Sequence, residues 1–176
     1  MTKQIIIKNK EELQCYRERI EDTLKSSVQT LQAMIENHEP LEIFHKLKYE
    51  KTVPEPLSGQ MENFIEVINQ SQTYLVSIRA AEYLINTHPE HEFVINWGNI
   101  TGHDIESTDG SIIAEGFAAT SYKSNEKLRK DLTRLCDNKT AIKKYEFFYD
   151  KEFKEKQKAY YENKYDGIEI IKFWEL

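Results

Sequence analysis

Apolar residues recur every three or four positions through residues 9–38 and again through 58–86, and beyond residue 90 that period gives way to short β-branched and aromatic runs. A chain with this switch must build long helices first and a strand-rich layer afterwards. Leu13, Tyr16, Ile20, Leu24, Val28, Leu31 and Ile35 form the first stripe, which Pro40 ends. Leu41 to Tyr49 reads as a short amphipathic helix, and the two prolines of Val53-Pro54-Glu55-Pro56 make the next segment a loop. Met61, Ile65, Ile68, Leu75, Ile78, Leu84 and Ile85 mark a second long helix from about Ser58 to Asn86, closed by His88-Pro89. Their near-heptad spacing admits both a homodimer seam between long helices and packing onto the chain's own sheet.

In the second half, residues 92–97, 103–108, 111–120, 141–149 and 168–174 read as strands. Ser124 is placed to cap a helix running to Cys136, with Leu128, Leu132 and Leu135 inward. Residues 151–163 form a charged helical segment, and Asp166-Gly167 turns the chain into the last strand. The order helix, strand, strand, strand, helix, strand, helix, strand predicts an α/β or α+β fold with a sheet covered by helices. A helical part over 1–89 and a strand-rich core over 90–176 are expected to form one compact domain.

A length of 176 residues suffices for a hydrophobic core without disulfides or structural metal. No apolar run approaches the roughly 20 residues of a membrane-spanning helix. Cys15 and Cys136 lie in different helical segments without a CxxC partner, so the expectation is reduced thiols in a cytoplasmic protein. The net charge of −6 excludes a generally basic nucleic-acid binder, but its distribution is uneven. Residues 123–164 carry 13 Lys/Arg against 8 Asp/Glu, while the remainder carries 11 against 22. The basic 123–164 segment is thus either a DNA or RNA phosphate contact or a solvated lysine-rich face.

The sharpest chemical signal lies in residues 103–115. Asp109-Gly110 between two apolar-rich runs predicts a two-residue hairpin turn. That turn sets Asp104 directly opposite Glu115, with Glu106 and Ile113 on the same face and Ile105, Ile112 and Ala114 on the other. Like charges across a ladder destabilise it. Such a pair is sensible if a cation sits between the two, if one is protonated, or if both point into water. The first case is an oxygen-rich site of the kind that suits Mg, Mn or Ca; the last is a hairpin with one wet face.

With an acid opening the second strand and a glutamate inside the third, the chain over roughly 58–150 resembles the PD-(D/E)xK nuclease superfamily. The resemblance implies a restriction-endonuclease-like fold, a central mixed sheet flanked by helices, here with a long helical N-terminal half. It also implies that Asp104 and Glu115 hold Mg or Mn, and that phosphodiesters of nucleic acid are hydrolysed. One departure is plain: the family's lysine belongs two residues after the glutamate, where this chain has Phe117. Divergent members carry it on a neighbouring helix, which makes Lys127 or Lys130 the candidate catalytic lysines and Lys123 a third choice. Glu82 and Glu66 stand where some members take an extra acidic ligand. If no lysine reaches the acids, an inactive, binding-only relative is implied.

Other features are weaker. His88 and His91 have a His-x-x-His spacing that suits zinc, but proline lies between them and no third ligand is near. His103 points away from the carboxylate face by strand alternation. Tyr145, Phe147 and Tyr149 fall on one face of a strand, as buried rings or as a platform for stacking bases. The competing function is a non-enzymatic interaction or nucleic-acid-binding module with a helical dimer surface.

Overall fold

The computed structural model of the chain describes residues 4–98, 101–119, 121–150 and 152–173. In chain order the elements are β1 (Gln4–Ile7), α1 (Lys10–Asn37), α2 (Pro40–Tyr49), β2 (Val53–Pro54), β3 (Met61–Glu62) and α3 (Phe64–Thr87). They continue with β4 (Phe93–Asn96), β5 (Ile105–Ser107), β6 (Ile112–Ala118), α4 (Lys127–Asp137), β7 (Lys143–Tyr149), α5 (Glu155–Lys164) and β8 (Ile168–Phe173). The fold is α+β. Two compact units divide the chain, one of Gln14–Gln72 and one of Thr2–Leu13 with Thr73–Leu176.

The first unit holds most of α1, all of α2 and the start of α3. Met34, Val53, Phe64 and Val67 form its buried cluster, with Leu24, Leu31 and Leu47 packed against it. Along α1 the buried residues are Leu13, Ile20, Ser27 and Met34, one every seven positions, while Val28 and Ile35 of the expected stripe are exposed. The second long helix begins at Phe64 rather than near Ser58. Glu55 instead accepts the Ser58 amide at 2.5 Å, Gly59 turns at φ +72°, and the Asn63 side chain caps the helix by accepting the Glu66 amide at 2.9 Å.

The second unit is built on a mixed six-stranded sheet in the order β1-β4-β5-β6-β7-β8. β1, β4, β5 and β6 pair antiparallel; β6, β7 and β8 pair parallel. The parallel pairs are connected through α4 and α5, as parallel strands require. β1 is an addition to the expected order; its Ile5-Ile6-Ile7 run is the β-branched signal for a strand. α4 starts at Lys127 instead of Ser124, because Asn125 and Glu126 take left-handed backbone angles. α5 starts at Glu155 because Asp150 accepts the Glu152 and Phe153 amides and holds that stretch in a turn.

Both faces of the central strands are covered. On one, Ile113, Phe117, Phe148, Ile168 and Ile170 pack with Leu128, Leu132 and Leu135 of α4 and with Phe153. On the other, Tyr83 of α3 lies edge-on to Tyr145 and Phe147, and Gly116 lets Val76 approach within 3.6 Å of where a Cβ would stand. The rings of β7 are therefore core. No described helix is long and apolar enough to cross a membrane. Phe148 stacks on Phe117 at 5.2 Å and meets Phe153 edge-on at 4.9 Å. Phe148→Ala is expected to cost about 3–5 kcal/mol in denaturant unfolding; a loss below about 1 kcal/mol would mean the cluster is not cooperative core.

Candidate active site

The hairpin register is the one that the alternation predicts. Ile105 pairs with Ala114 and Glu106 with Ile113, and Asp104, just before β5, reaches β6 through its side chain on the Gly116 amide. The connection is longer than two residues: the Gly110 amide donates to Ser107 at 2.8 Å with Gly110 at φ +72°, and Ser107 Oγ accepts the Ile112 amide at 2.9 Å. The face is not wet, since Glu115 is 1% exposed and Ile113 2%. Water is thus removed from Glu115, while Asp104 stays half-buried.

Parallel pairing adds a second glutamate. Glu115 on β6 is in register with Glu146 on β7, so their side chains share the face beneath α4. Glu146 is 0% exposed, and neither carboxyl oxygen has a hydrogen-bond partner. An unpaired buried carboxylate is strongly unfavourable unless it binds a cation or a proton. α4 supplies the opposing wall. Lys127, Asp131 and Arg134 step by four and three residues, which sets them on one helix face beside the apolar stripe of Leu128, Leu132 and Leu135. Lys127 Nζ donates to Asp131 Oδ1 at 2.7 Å, and Asp131 Oδ2 is buried without a partner.

The oxygens of Glu115 are both engaged. His103 Nδ1 lies 2.5 Å from Oε1, and Arg134 Nη1 donates to Oε2 at 3.1 Å. Asp104 Oδ2 accepts the Gly116 amide at 2.9 Å. His103 was expected on the opposite face. It turns inward because β5 begins only at Ile105: Gly102 sits at φ +122°, where an added Cβ would meet Glu106 Oε1 at 3.3 Å. The His103 amide donates to Glu106 Oε1 at 2.8 Å, and its carbonyl accepts from Asn96 Nδ2 at 2.6 Å. Glu106 is thereby a hinge for His103.

The electrostatics follow from this packing. Burial pushes the Glu115 carboxyl up; the His103 hydrogen bond opposes it, Asp104 adds to it and Arg134 opposes it, leaving a pKa of about 7. Burial, then the nearby Asp131 and Glu115, raise Glu146 well above the usual carboxylate range. Asp131 is raised by burial against the pull of Lys127. Burial works against the Lys127 ammonium, but Asp131 outweighs it and Asp104 and Glu115 add, so Lys127 stays charged.

Of the lysines named from the sequence, Lys127 is thus the one in the field of the acids. Lys130 is exposed on α4, and Lys123 is exposed over the Tyr122 ring. Phe117 is core. Glu82 pairs with Arg79 at 2.9 Å and Glu66 is exposed. His88 is held by Tyr145 OH at 2.8 Å. The alternation in β7 does not single out Glu146, although an acid inside Tyr145-Glu146-Phe147-Phe148 was the available signal. Among the described residues no three His, Cys, Asp or Glu side chains stand as a ready-made metal cage. Comparison with protein-family models, curated proteins and solved structures returns no significant match.

Carboxylates with raised pKa bind more protons in the folded than in the unfolded chain between the ordinary carboxylate range and neutrality. Stability is then present at low pH and is lost as pH rises through about 7. Without divalent cations, the melting temperature should fall between pH 5 and pH 8, and Glu115→Gln should flatten that fall. A profile equally steep in the variant would show that Glu115 carries no such proton.

Proposed function

We propose that the acid cluster beneath α4 is the centre of a divalent-cation-dependent phosphodiesterase acting on nucleic acid, in a restriction-endonuclease-like setting. The observation that carries this reading is the placement of Lys127: an ammonium from the helix after β6 lies in the field of Asp104 and Glu115, on Asp131. The order α3-β4-β5-β6-α4-β7, three antiparallel strands followed by a parallel one, supports it as well.

The donor set fits a hard cation. Mg is commonly held by one or two carboxylates with waters and substrate phosphate completing its shell, and both oxygens of Glu146 and Oδ2 of Asp131 are buried without a hydrogen-bond partner. Asp104 and Glu115 would hold Mg or Mn, which supplies Lewis-acid charge and a bound water of lowered pKa. The protein's own groups do the rest. Asp131 fixes the Lys127 ammonium, which offsets charge developing on a phosphoryl oxygen. His103 orients Glu115 and is itself 3.3 Å from Asn138 Nδ2 through its other ring nitrogen. The basic 123–164 segment supplies phosphate contacts along the substrate.

A binding-only reading draws on one observation: both oxygens of Glu115 are already taken by cationic or hydrogen-bonding side chains. Activity separates the two. Purified protein with Mn should cleave DNA or RNA, and Glu115→Gln or Asp104→Asn should abolish cleavage. Lys127→Ala should lower kcat by about 10²-fold or more, whereas Lys130→Ala should change it by less than about threefold. No cleavage of supercoiled, linear or single-stranded substrates with Mg or Mn would favour the binding-only protein.

A further inference from the structure

Among the described residues on Glu115, Arg134 is the one most open to solvent. Its side chain is 44% exposed, while the glutamate it touches is 0% exposed and His103 is 10% exposed. The contact is a single hydrogen bond from Nη1 at 3.1 Å. Guanidinium has five donors and is built to grip phosphate in a two-pronged way. A single-pronged, half-exposed hold on a carboxylate is therefore one that a phosphate can compete with. Lys127, similarly exposed at 40%, is tied instead to Asp131 at 2.7 Å by a helical i,i+4 pair.

We infer that Arg134 is a gate: it occupies Glu115 in the free protein and moves to a backbone phosphate of the nucleic acid, opening that carboxylate to the divalent cation. This rests on the proposed function and adds a coupling to it. Removing one partner from a buried ion pair leaves an uncompensated charge, so Arg134 leaves Glu115 at low cost only as a metal ion or a proton takes its place. Substrate phosphate draws the guanidinium out, and the metal takes over its charge. Nucleic acid and cation therefore bind with positive cooperativity. By linkage each raises the affinity of the other by the same factor. The arrangement also keeps cation affinity low when no substrate is bound.

The test is Mn binding by calorimetry to the full chain, alone and with a short DNA oligonucleotide whose bridging 3′ oxygens are replaced by methylene groups and so cannot be cleaved there. In the wild type the oligonucleotide should tighten Mn binding by about tenfold, within the usual range of coupling between two sites. Arg134→Ala should tighten Mn binding by a similar factor without DNA, and DNA should then add little. Arg134→Gln, which keeps length and polarity without charge, should behave like the alanine variant. Thermal melting confirms that each variant is folded, and a variant that merely damaged the site would bind Mn more weakly, which would overturn the gate. If wild type cleaves DNA but Arg134→Ala binds Mn no more tightly than wild type, the gate fails while the nuclease reading stands. If the Mn and DNA coupling is present in wild type and lost in Arg134→Ala without any cleavage, the gate stands and the hydrolytic reading fails.

Discussion

Two glutamates buried in register on neighbouring central strands, Glu115 on β6 and Glu146 on β7, set the terms for everything around them. Parallel pairing forces their side chains onto one face, and α4 closes that face with Leu128, Leu132 and Leu135. Two carboxylates in such a place repel each other and have lost their hydration. The neighbours act against that cost. Arg134 and His103 take the oxygens of Glu115, the Gly116 amide takes Asp104, and Lys127 takes Asp131. Glu146 alone among these acids has both oxygens without a partner. Stability would be better served by an apolar residue there, so its presence is more readily understood through a site than through the fold.

The fold itself is organised to present this cluster. The antiparallel half of the sheet brings Asp104 to the edge of β5, the hairpin sets the register with β6, and the parallel half adds β7. α4 then delivers a polar face beside its apolar one, because residues four and three apart lie together on a helix. Glu115, Glu146 and Lys127 come from three separate elements, and Asp104 from the segment just before β5. Such a site is held by the core rather than by one flexible loop. The Phe117–Phe148 stack on the same face fixes the spacing of β6 and β7 next to the acids.

Much of this was legible in the sequence. The change of apolar period separates helices from strands, and the alternation around Asp109-Gly110 gives the Ile105–Ala114 and Glu106–Ile113 register although the turn is longer than two residues. Leu128, Leu132 and Leu135 were readable as the inward face of α4. Three things were not. Glu146 required knowing that β7 lies beside β6, which is a matter of strand order and not of local pattern. His103 required knowing that Gly102 breaks the pleat, so that alternation cannot be extended before Ile105. The helix starts at 58, 124 and 151 were displaced by side-chain turns around Glu55 and Asp150 and by left-handed backbone at Asn125 and Glu126, which propensity does not register.

Whether the proposed cation binds among these acids is read from anomalous diffraction of full-chain crystals grown with Mn. A single strong peak is expected within coordination distance of Asp104 and Glu115, with the Lys127 ammonium nearby. No peak at that cluster under saturating Mn, or a peak only at surface carboxylates, would contradict it.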